Sequence, residues 1–129
     1  MTKPVDVGSA LWRAPVLRLD AAVTADLAAR AFPQLMPFNM GGVFAGRFVG
    51  RTPWERHPDG DELLYVVEGS VEITLLTDAG PERHRIDHGS VFVVPRGVWH
   101  RQHAAETALL LSATPLPTEV SGAEDPRPR

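Results

Sequence analysis

The sequence WERHPDGDE, at residues 54–62, places potential ligands for a divalent metal ion at Glu55, His57 and Glu62. Residues two apart in a β-strand point to the same side, so Glu55 and His57 can address one point in space. A Pro-Asp-Gly turn then reverses the chain, which lets Glu62 face that same point from the start of the next strand. The stretch therefore predicts a cluster of ligands between two adjacent strands.

A second stretch, GSVFVVPRGVWH at residues 89–100, supplies a further imidazole. Its apolar centre is typical of a short strand, and the Pro-Arg-Gly that follows is typical of a turn. His100 comes shortly after that turn, within the next β-rich run. Because the chain has no cysteine, any metal bound here must be held by nitrogen and oxygen atoms.

From residue 43 onward, β-rich runs alternate with turn residues. The runs lie at residues 43–49, 62–69, 71–77, 84–87, 90–95, 97–103 and 107–114. Short strands at this spacing favour an all-β sandwich or barrel. We expect a hairpin at Glu68-Gly69-Ser70 and a second tight connection at residues 78–81, as in an antiparallel meander.

The regions that flank these runs differ from them. Apolar residues at helical spacing within residues 20–32 predict one short helix, with Asp20 in the N-cap position and Pro33 as its stop. The last fifteen residues contain four prolines and no apolar period, so we expect a flexible tail there, or one that only a partner holds. The predicted organisation is an N-terminal segment whose helix packs on the barrel (1–42), the barrel itself (43–114) and the tail (115–129).

Size and charge exclude several classes of partner. The 129 residues fit one domain, and a net charge of −3 provides no basic surface for nucleic acid or an anionic membrane. No window approaches the length of a membrane span, and residues 1–12 lack the apolar stretch of a secretory signal. We expect a cytoplasmic protein that binds neither nucleic acid nor membrane.

The two stretches resemble the motifs of the cupin superfamily. Its first motif runs roughly His-x-His, three or four residues, Glu, six residues, Gly, and here the matching positions are His57, Glu62 and Gly69. The second motif runs Gly, five residues, Pro-x-Gly, two residues, His, three residues, Asn, and here the matching positions are Gly89, Pro95, Gly97 and His100. The resemblance covers most of the chain and implies a small single-domain cupin, a jelly-roll barrel or double-stranded β-helix with its metal inside.

Three positions depart from the family pattern. Glu55 replaces the usual first histidine, Gly50 lies one place too near it, and Ala104 replaces the final asparagine. Two ligand sets are therefore open. With Glu55 bound, two imidazoles and two carboxylates hold a divalent ion such as Fe, Mn, Ni or Zn. Without Glu55, a triad of His57, Glu62 and His100 leaves positions open, and the Glu55 carboxylate is then a candidate catalytic base.

Other residues near the predicted site are assigned by strand phase. Phe44 and Phe48 share a strand face, where they either fill the core or form part of a substrate pocket. Gln102 is in phase with His100 and is predicted to line the pocket. The remaining histidines, His84, His88 and His103, are expected to lie on the surface.

One strand has apolar residues on both faces. Within residues 62–67, Glu62 shares its face with two apolar residues, and the opposite face is also apolar. Trp54 and Trp99 each neighbour a predicted inward ligand, so they should point outward. A covered outer face is most simply explained by a homodimer, and the alternative is coverage by the N-terminal segment of the same chain.

Two functions remain open at this point. The first is a metalloenzyme, an oxygenase or isomerase, acting on a small polar organic molecule chelated to the metal. The second is a non-catalytic cupin that binds or senses a small molecule, because a fold does not by itself determine a function.

Overall fold

Ten strands and two short helices make up the computed structural model of the protein, within residues 2–19 and 22–128, which are those the structure describes. The elements are α1 (Val7–Ala10), β1 (Leu17–Arg18), α2 (Ala25–Ala31), β2 (Gln34–Phe38), β3 (Gly41–Arg51), β4 (Trp54–Arg56), β5 (Glu62–Glu68), β6 (Ser70–Thr77), β7 (Gly80–Asp87), β8 (Val91–Val94), β9 (His100–Pro115) and β10 (Glu119–Ser121). The prediction of an all-β barrel with a short N-terminal helix is confirmed.

The long strand β9 joins the two sides of the barrel. Its second half pairs with β3 on one side and β5 on the other, whereas residues 100–103 pair with β6. The strand also meets β4 at a single position near its start. The predicted runs at 97–103 and 107–114 are thus one continuous strand, which curls the sheet around a central cavity.

The predicted hairpin at Glu68-Gly69-Ser70 is wrong. β5 pairs with β8 and β9, whereas β6 pairs with β7 and β9, so the chain crosses from one side of the barrel to the other at this point. Gly69 has a φ of +82°, a conformation that favours glycine, and it makes the sharp crossing. The connection near residue 79 is a true hairpin, with Thr77 paired to Gly80.

The helix α2 is shorter than predicted. It begins at Ala25 because the hydroxyl of Thr24 accepts a hydrogen bond from the Leu27 amide at 3.0 Å and so caps the helix. Asp20, the predicted N-cap, lies outside the described residues. Neither described helix is long and apolar enough to cross a membrane.

Apolar side chains form two clusters on opposite faces of the sheet. The larger one fills the barrel interior, where Leu64, Val66 and Ile73 are fully buried, and Ala31 of α2 packs against it. The smaller one lies outside, where Leu11 covers Ala45 and Leu109. The N-terminal segment thus contributes to both faces of the barrel.

The C-terminal residues do not all form the tail without regular structure that the sequence predicted. β10 pairs antiparallel with β4, and the Arg56 guanidinium lies 2.7 Å from the Glu119 carboxylate. The indole of Trp54 donates a hydrogen bond to the Glu124 carbonyl at 3.2 Å. β10 thus covers the backbone groups at one edge of β4, and this strand pairing holds the C-terminal segment in place.

The two outward tryptophans are covered by their own chain. Trp54 is 3% exposed and Trp99 is 9% exposed. The guanidinium of Arg101 lies 4.2 Å from the centre of the Trp54 ring, and that of Arg56 lies 4.8 Å from the centre of the Trp99 ring. These tryptophans therefore give no support to a dimer interface.

Candidate metal centre and its cavity

Four side chains meet where β4, β5 and β9 converge. Glu55 on β4 lies directly opposite His100, the first residue of β9. His57 follows β4, and its carbonyl accepts a hydrogen bond from the Gly97 amide at 2.9 Å, which ties together the two turns that carry the motifs. Glu62 begins β5. The two stretches that are distant in sequence thus deliver their side chains to one point.

The Glu62 carboxylate lies between the two imidazoles. One oxygen is 3.2 Å from Nε2 of His57, and the other is 3.2 Å from Nε2 of His100. The ring centres of the histidines are 5.2 Å apart. The ligand atoms of Glu55, His57 and His100 all lie within 4.8 Å of one another. Glu55, His57 and His100 can therefore contact one ion, and Glu62 lies against both imidazoles.

The donor atoms at this point are buried and lack hydrogen bonds. His57, Glu62 and His100 are 2%, 5% and 1% exposed. Within residues 2–19 and 22–128, Nε2 of both histidines and Oε1 of Glu62 have no partner in hydrogen-bond geometry, although they approach one another as ion pairs. Buried polar atoms are normally satisfied, and a cation between these three would satisfy them.

The spacing of these atoms fits a metal ion. Nitrogen and oxygen ligands bind a zinc-sized ion at about 2.0 to 2.2 Å, which places neighbouring donors roughly 3.0 to 3.5 Å apart in octahedral or tetrahedral sites. Both nitrogen-to-oxygen distances at Glu62, 3.2 Å, fall in that range. The residues present therefore fit a divalent metal, and the Glu and His donor set is one that such ions accept.

An outer ring of residues, Val98, Thr114 and Thr118, contacts the side chains of the cluster and orients them. Nδ1 of His100 lies 3.0 Å from the Val98 carbonyl, to which it donates a hydrogen bond. In the neutral ring this leaves the lone pair of Nε2 available to a metal ion. Nδ1 of His57 lies 3.1 Å from the Thr118 hydroxyl. The Thr114 hydroxyl donates to Glu62 at 2.6 Å.

The two carboxylates differ in their proton affinity. Burial by itself raises the pKa of Glu62, but the nearby His100 and His57 outweigh it and lower the pKa to about 2. For Glu55, burial and the charge of Glu62 raise the pKa, and the two histidines only partly oppose them. Without a metal, Glu55 is thus the carboxyl of the pair that holds a proton more readily.

Glu55 faces the cavity and not the arginines beside it in sequence. It is half-buried, and among the described residues no arginine forms an ion pair with it. Arg56 is paired with Glu119 instead. Glu55 therefore belongs to the lining of the cavity.

A cavity of about 330 Å³ opens beside the four side chains. Phe44, Phe48 and Gln102, the predicted pocket residues, line it together with Glu55 and Glu62. The N-terminal segment adds further lining residues, which are Leu17, Leu19, Ala28 and Phe32. The other histidines lie away from it, since His84, His88 and His103 are exposed.

Sequence reasoning missed the residues of the outer ring. Thr114 had a usable signal, because Leu110, Ser112 and Thr114 alternate along β9 and all three line the cavity. Thr118 had none, since it lies in a proline-rich segment whose position depends on the pairing of β10 with β4.

Comparison with known families agrees with this architecture. The family model described as the cupin domain matches residues 49–113, which include all four side chains of the cluster. The chain therefore belongs to the cupin domain family. At the position of the motif's first histidine, this chain has Glu55.

Individual relatives are distant. A putative germin-like protein 3-2 of Oryza sativa subsp. japonica is 28% identical over 80% of this chain and 49% of its own length. The chain spans half or less of the length of the germin-like relatives it matches.

Among solved structures, a conserved protein of unknown function from Streptococcus pyogenes matches at a TM-score of 0.59 and 20% identity, over 91% of this chain and 90% of its own. Hydroquinone 1,2-dioxygenase from Sphingomonas sp. TTNP3, with 4-hydroxybenzoate bound, matches at 0.57 and 18% identity, over 72% and 66%. At these identities the likeness concerns the fold.

Proposed function

We propose that the protein is a metal-dependent enzyme, of oxygenase or isomerase type, that acts on a small organic molecule chelated to a divalent ion. The observation that carries this proposal is the set of three buried donor atoms, on His57, Glu62 and His100, that point at one another without hydrogen bonds. They lie beside a cavity large enough for a small ligand.

Glu55, His57, Glu62 and His100 would hold the ion, which we take to be Fe, Mn, Ni or Zn. Two imidazoles and two carboxylates neutralise a divalent charge, and donors of these types suit all four metals. Such an ion, when bound, polarises the oxygen of a coordinated substrate. The cavity beside the cluster provides the space in which that substrate would lie.

Glu55 is also the candidate catalytic base when it is not a ligand. Its carboxylate faces the cavity, and burial raises its pKa above the ordinary value of a carboxyl, so that it accepts a proton more readily. In that case His57, Glu62 and His100 form a three-ligand site. Glu55 would then take a proton from a substrate seated against Phe44 and Phe48.

A non-catalytic binding module is the second candidate, and one observation favours it. If Glu55 is the fourth ligand, then no titratable side chain among the described lining residues remains free for proton transfer. The cluster and cavity would then capture a small molecule without converting it.

We also propose that two copies associate through the outer face of β5 and β8. Leu63 pairs with Val93 there, and Tyr65 pairs with Val91. Val91 and Val93 are 65% and 50% exposed, and β8 pairs with β5 alone among the described strands. An exposed apolar patch of this kind is typical of an interaction site, and a second copy related by a two-fold axis would place the same patch against itself.

The enzyme proposal is tested in two steps. Metal analysis of protein purified without added metal tests the site, with close to one ion per chain expected. Chelator-sensitive conversion of a bound small molecule, restored by the metal that analysis finds, tests catalysis. Stoichiometric metal together with unchanged ligand would favour the binding module.

A further inference from the structure

Most of the cavity away from the metal cluster is apolar. Leu17 and Leu19 of the N-terminal segment and Phe32 at the end of α2 form one side. Phe44 and Phe48 of β3 form another, and the rings of Phe32 and Phe48 are 6.0 Å apart in a tilted arrangement. Any ligand that reaches the cluster therefore lies along leucine and phenylalanine side chains.

The hydroxyl groups of the lining are already engaged by the protein. The Thr52 hydroxyl donates a hydrogen bond to the Pro53 carbonyl at 2.9 Å and accepts one from the backbone amide of Gln102 at 3.0 Å. The hydroxyls of Thr114 and Thr118 contact Glu62 and His57. Apart from the metal cluster, the lining thus has few polar groups left for a ligand.

The side chain of Gln102 is the exception. It lines the cavity, is 8% exposed, and has no hydrogen-bond partner among the residues that the structure describes. An amide offers one acceptor and two donor hydrogens, so it can contact a polar group of either kind. It lies one strand position from His103 and two from His100, on the side of β9 that faces the cluster.

Charge in the lining is confined to one end. No lysine or arginine lines the cavity within the described residues, and its acidic side chains, Glu55 and Glu62, both belong to the cluster. A second charged group on a ligand held within this lining would lie among apolar side chains without a counter-ion, which is costly.

We propose that the ligand is a largely apolar molecule with one oxygen-bearing chelating end. The chelating end lies at the cluster beside Gln102, and the apolar body lies between Phe44, Phe48 and the N-terminal leucines. This inference rests on the proposed function for the chelating end. It replaces the polar substrate expected from the sequence, because outside the cluster and Gln102 the described lining offers a ligand few polar groups.

Hydroxamates of increasing length test the proposal in the Zn²⁺-loaded protein. Acetohydroxamate and hexanohydroxamate share a chelating end and differ only in their apolar body. Each buried methylene is expected to tighten binding about fourfold, so hexanohydroxamate should bind at least about tenfold more tightly in calorimetric titration. Equal affinity for the two would overturn the proposal.

A second probe separates apolar character from length. Adipic monohydroxamate has the chain of hexanohydroxamate with a carboxylate in place of the terminal methyl group. We expect it to bind at least about tenfold more weakly than hexanohydroxamate, because its far end lies among apolar side chains. Tighter binding of the carboxylate would reveal a cationic subsite and contradict the proposal.

Variants of two cavity residues test where the apolar body of the ligand lies. Phe44→Ser and Leu19→Ser should each reduce the advantage of hexanohydroxamate over acetohydroxamate severalfold, and two separate positions guard against a misfolded variant. Phe38→Ser is the matched control, since Phe38 is 52% exposed and does not line the cavity. If hexanohydroxamate keeps its full advantage over acetohydroxamate in both cavity variants, the apolar body does not lie against Phe44 and Leu19, and the proposed placement is wrong.

A metal-free experiment distinguishes this inference from the metal proposal. Chelator-treated protein is mixed with hexan-1-ol or hexane-1,6-diol, and binding is followed by saturation-transfer NMR. Preference for hexan-1-ol supports the apolar cavity whether or not the protein holds metal. If acetohydroxamate also fails to bind after metal addition, only the metal site is contradicted. No preference for the longer or less polar probe in either experiment would contradict the inference itself.

Discussion

Glu55 and His100 lie directly opposite each other where β4 pairs with β9. Residues opposed in this way project to the same side of the sheet, so the backbone pairing itself aims the carboxylate at the imidazole. Glu55 occupies the position at which the cupin motif has its first histidine. The substitution therefore changes the chemistry of that position while keeping its direction into the barrel.

Glu55→Gln tests whether this carboxylate binds the ion. The amide keeps the size of the side chain and removes its negative charge, so we expect metal affinity to fall about tenfold or more if Glu55 is a ligand. Competition with a fluorescent chelator measures the affinity. Wild-type affinity in the variant would contradict ligation and leave Glu55 as a base, in which case turnover should fall instead.

Thr118→Val tests the contact between the C-terminal segment and His57. The valine has the shape of threonine without the hydroxyl that lies 3.1 Å from Nδ1 of His57. Loss of such an orienting partner weakens metal binding by about 10- to 100-fold in comparable sites. Thr118→Ser keeps a hydroxyl and should restore most of the affinity. Equal affinities in the two variants would show that the hydroxyl has no orienting role.

Stability should depend on pH in opposite ways with and without metal. Burial lowers the pKa of His100, but Glu62 reverses this effect, and the net pKa lies above 6.5. A raised pKa means that the protonated ring stabilises the metal-free fold below pH 6.5 and that this contribution is lost as the pH rises. Glu62, whose pKa is lowered to about 2, contributes above pH 4.5 and loses its contribution as the pH falls toward 2.

The free energy of unfolding in urea, measured from pH 5 to 9, checks this prediction. Chelator-treated protein should be most stable at the acidic end of this range and lose stability as the pH rises, since the pKa values of both His100 and Glu55 are raised. Metal-loaded protein should gain affinity for its ion over the same rise, because protons compete for Nε2 of His100. Chelator-treated protein that becomes more stable from pH 6 to 8 would contradict the assignment of His100.

The proposed dimer is tested by a charge on its face. Val91→Asp places a carboxylate at a position that is 65% exposed, so the fold should survive while association is lost. Val120→Asp is the matched control, since Val120 is 60% exposed on β10, away from that face. Light scattering at high concentration should give twice the mass of the chain for the control. A wild-type protein with the mass of one chain would contradict the dimer.

Local patterns were sufficient to predict most of the barrel and the positions that meet at its centre. Strand alternation placed Glu62 inward, and Leu64 and Val66 beside it are indeed fully buried. The prediction failed at Gly69, because two runs joined by a short turn look alike whether they form a hairpin or cross between sheets. Pairing partners distant in sequence decide between the two.

The apolar character of the cavity could not be predicted from the sequence either. Leu17, Leu19 and Phe32 lie far from the motifs, and nothing in their spacing connects them with His57. β1 brings two of them into place by pairing parallel with β3, where Leu17 lies beside Phe48. The lining of a barrel thus depends on how an N-terminal segment returns to it, and such long-range pairing has no local signature.

The most direct test of the metal centre compares the metal content of three purified proteins. The wild-type chain, His100→Ala and His103→Ala are expressed without added metal and analysed by mass spectrometry of the elements. His103 lies on the same strand as His100 but is exposed, so its variant controls for loss of a histidine. We predict close to one ion per chain in the wild type and in His103→Ala, and a sharp loss in His100→Ala. Stoichiometric metal in His100→Ala would contradict the site.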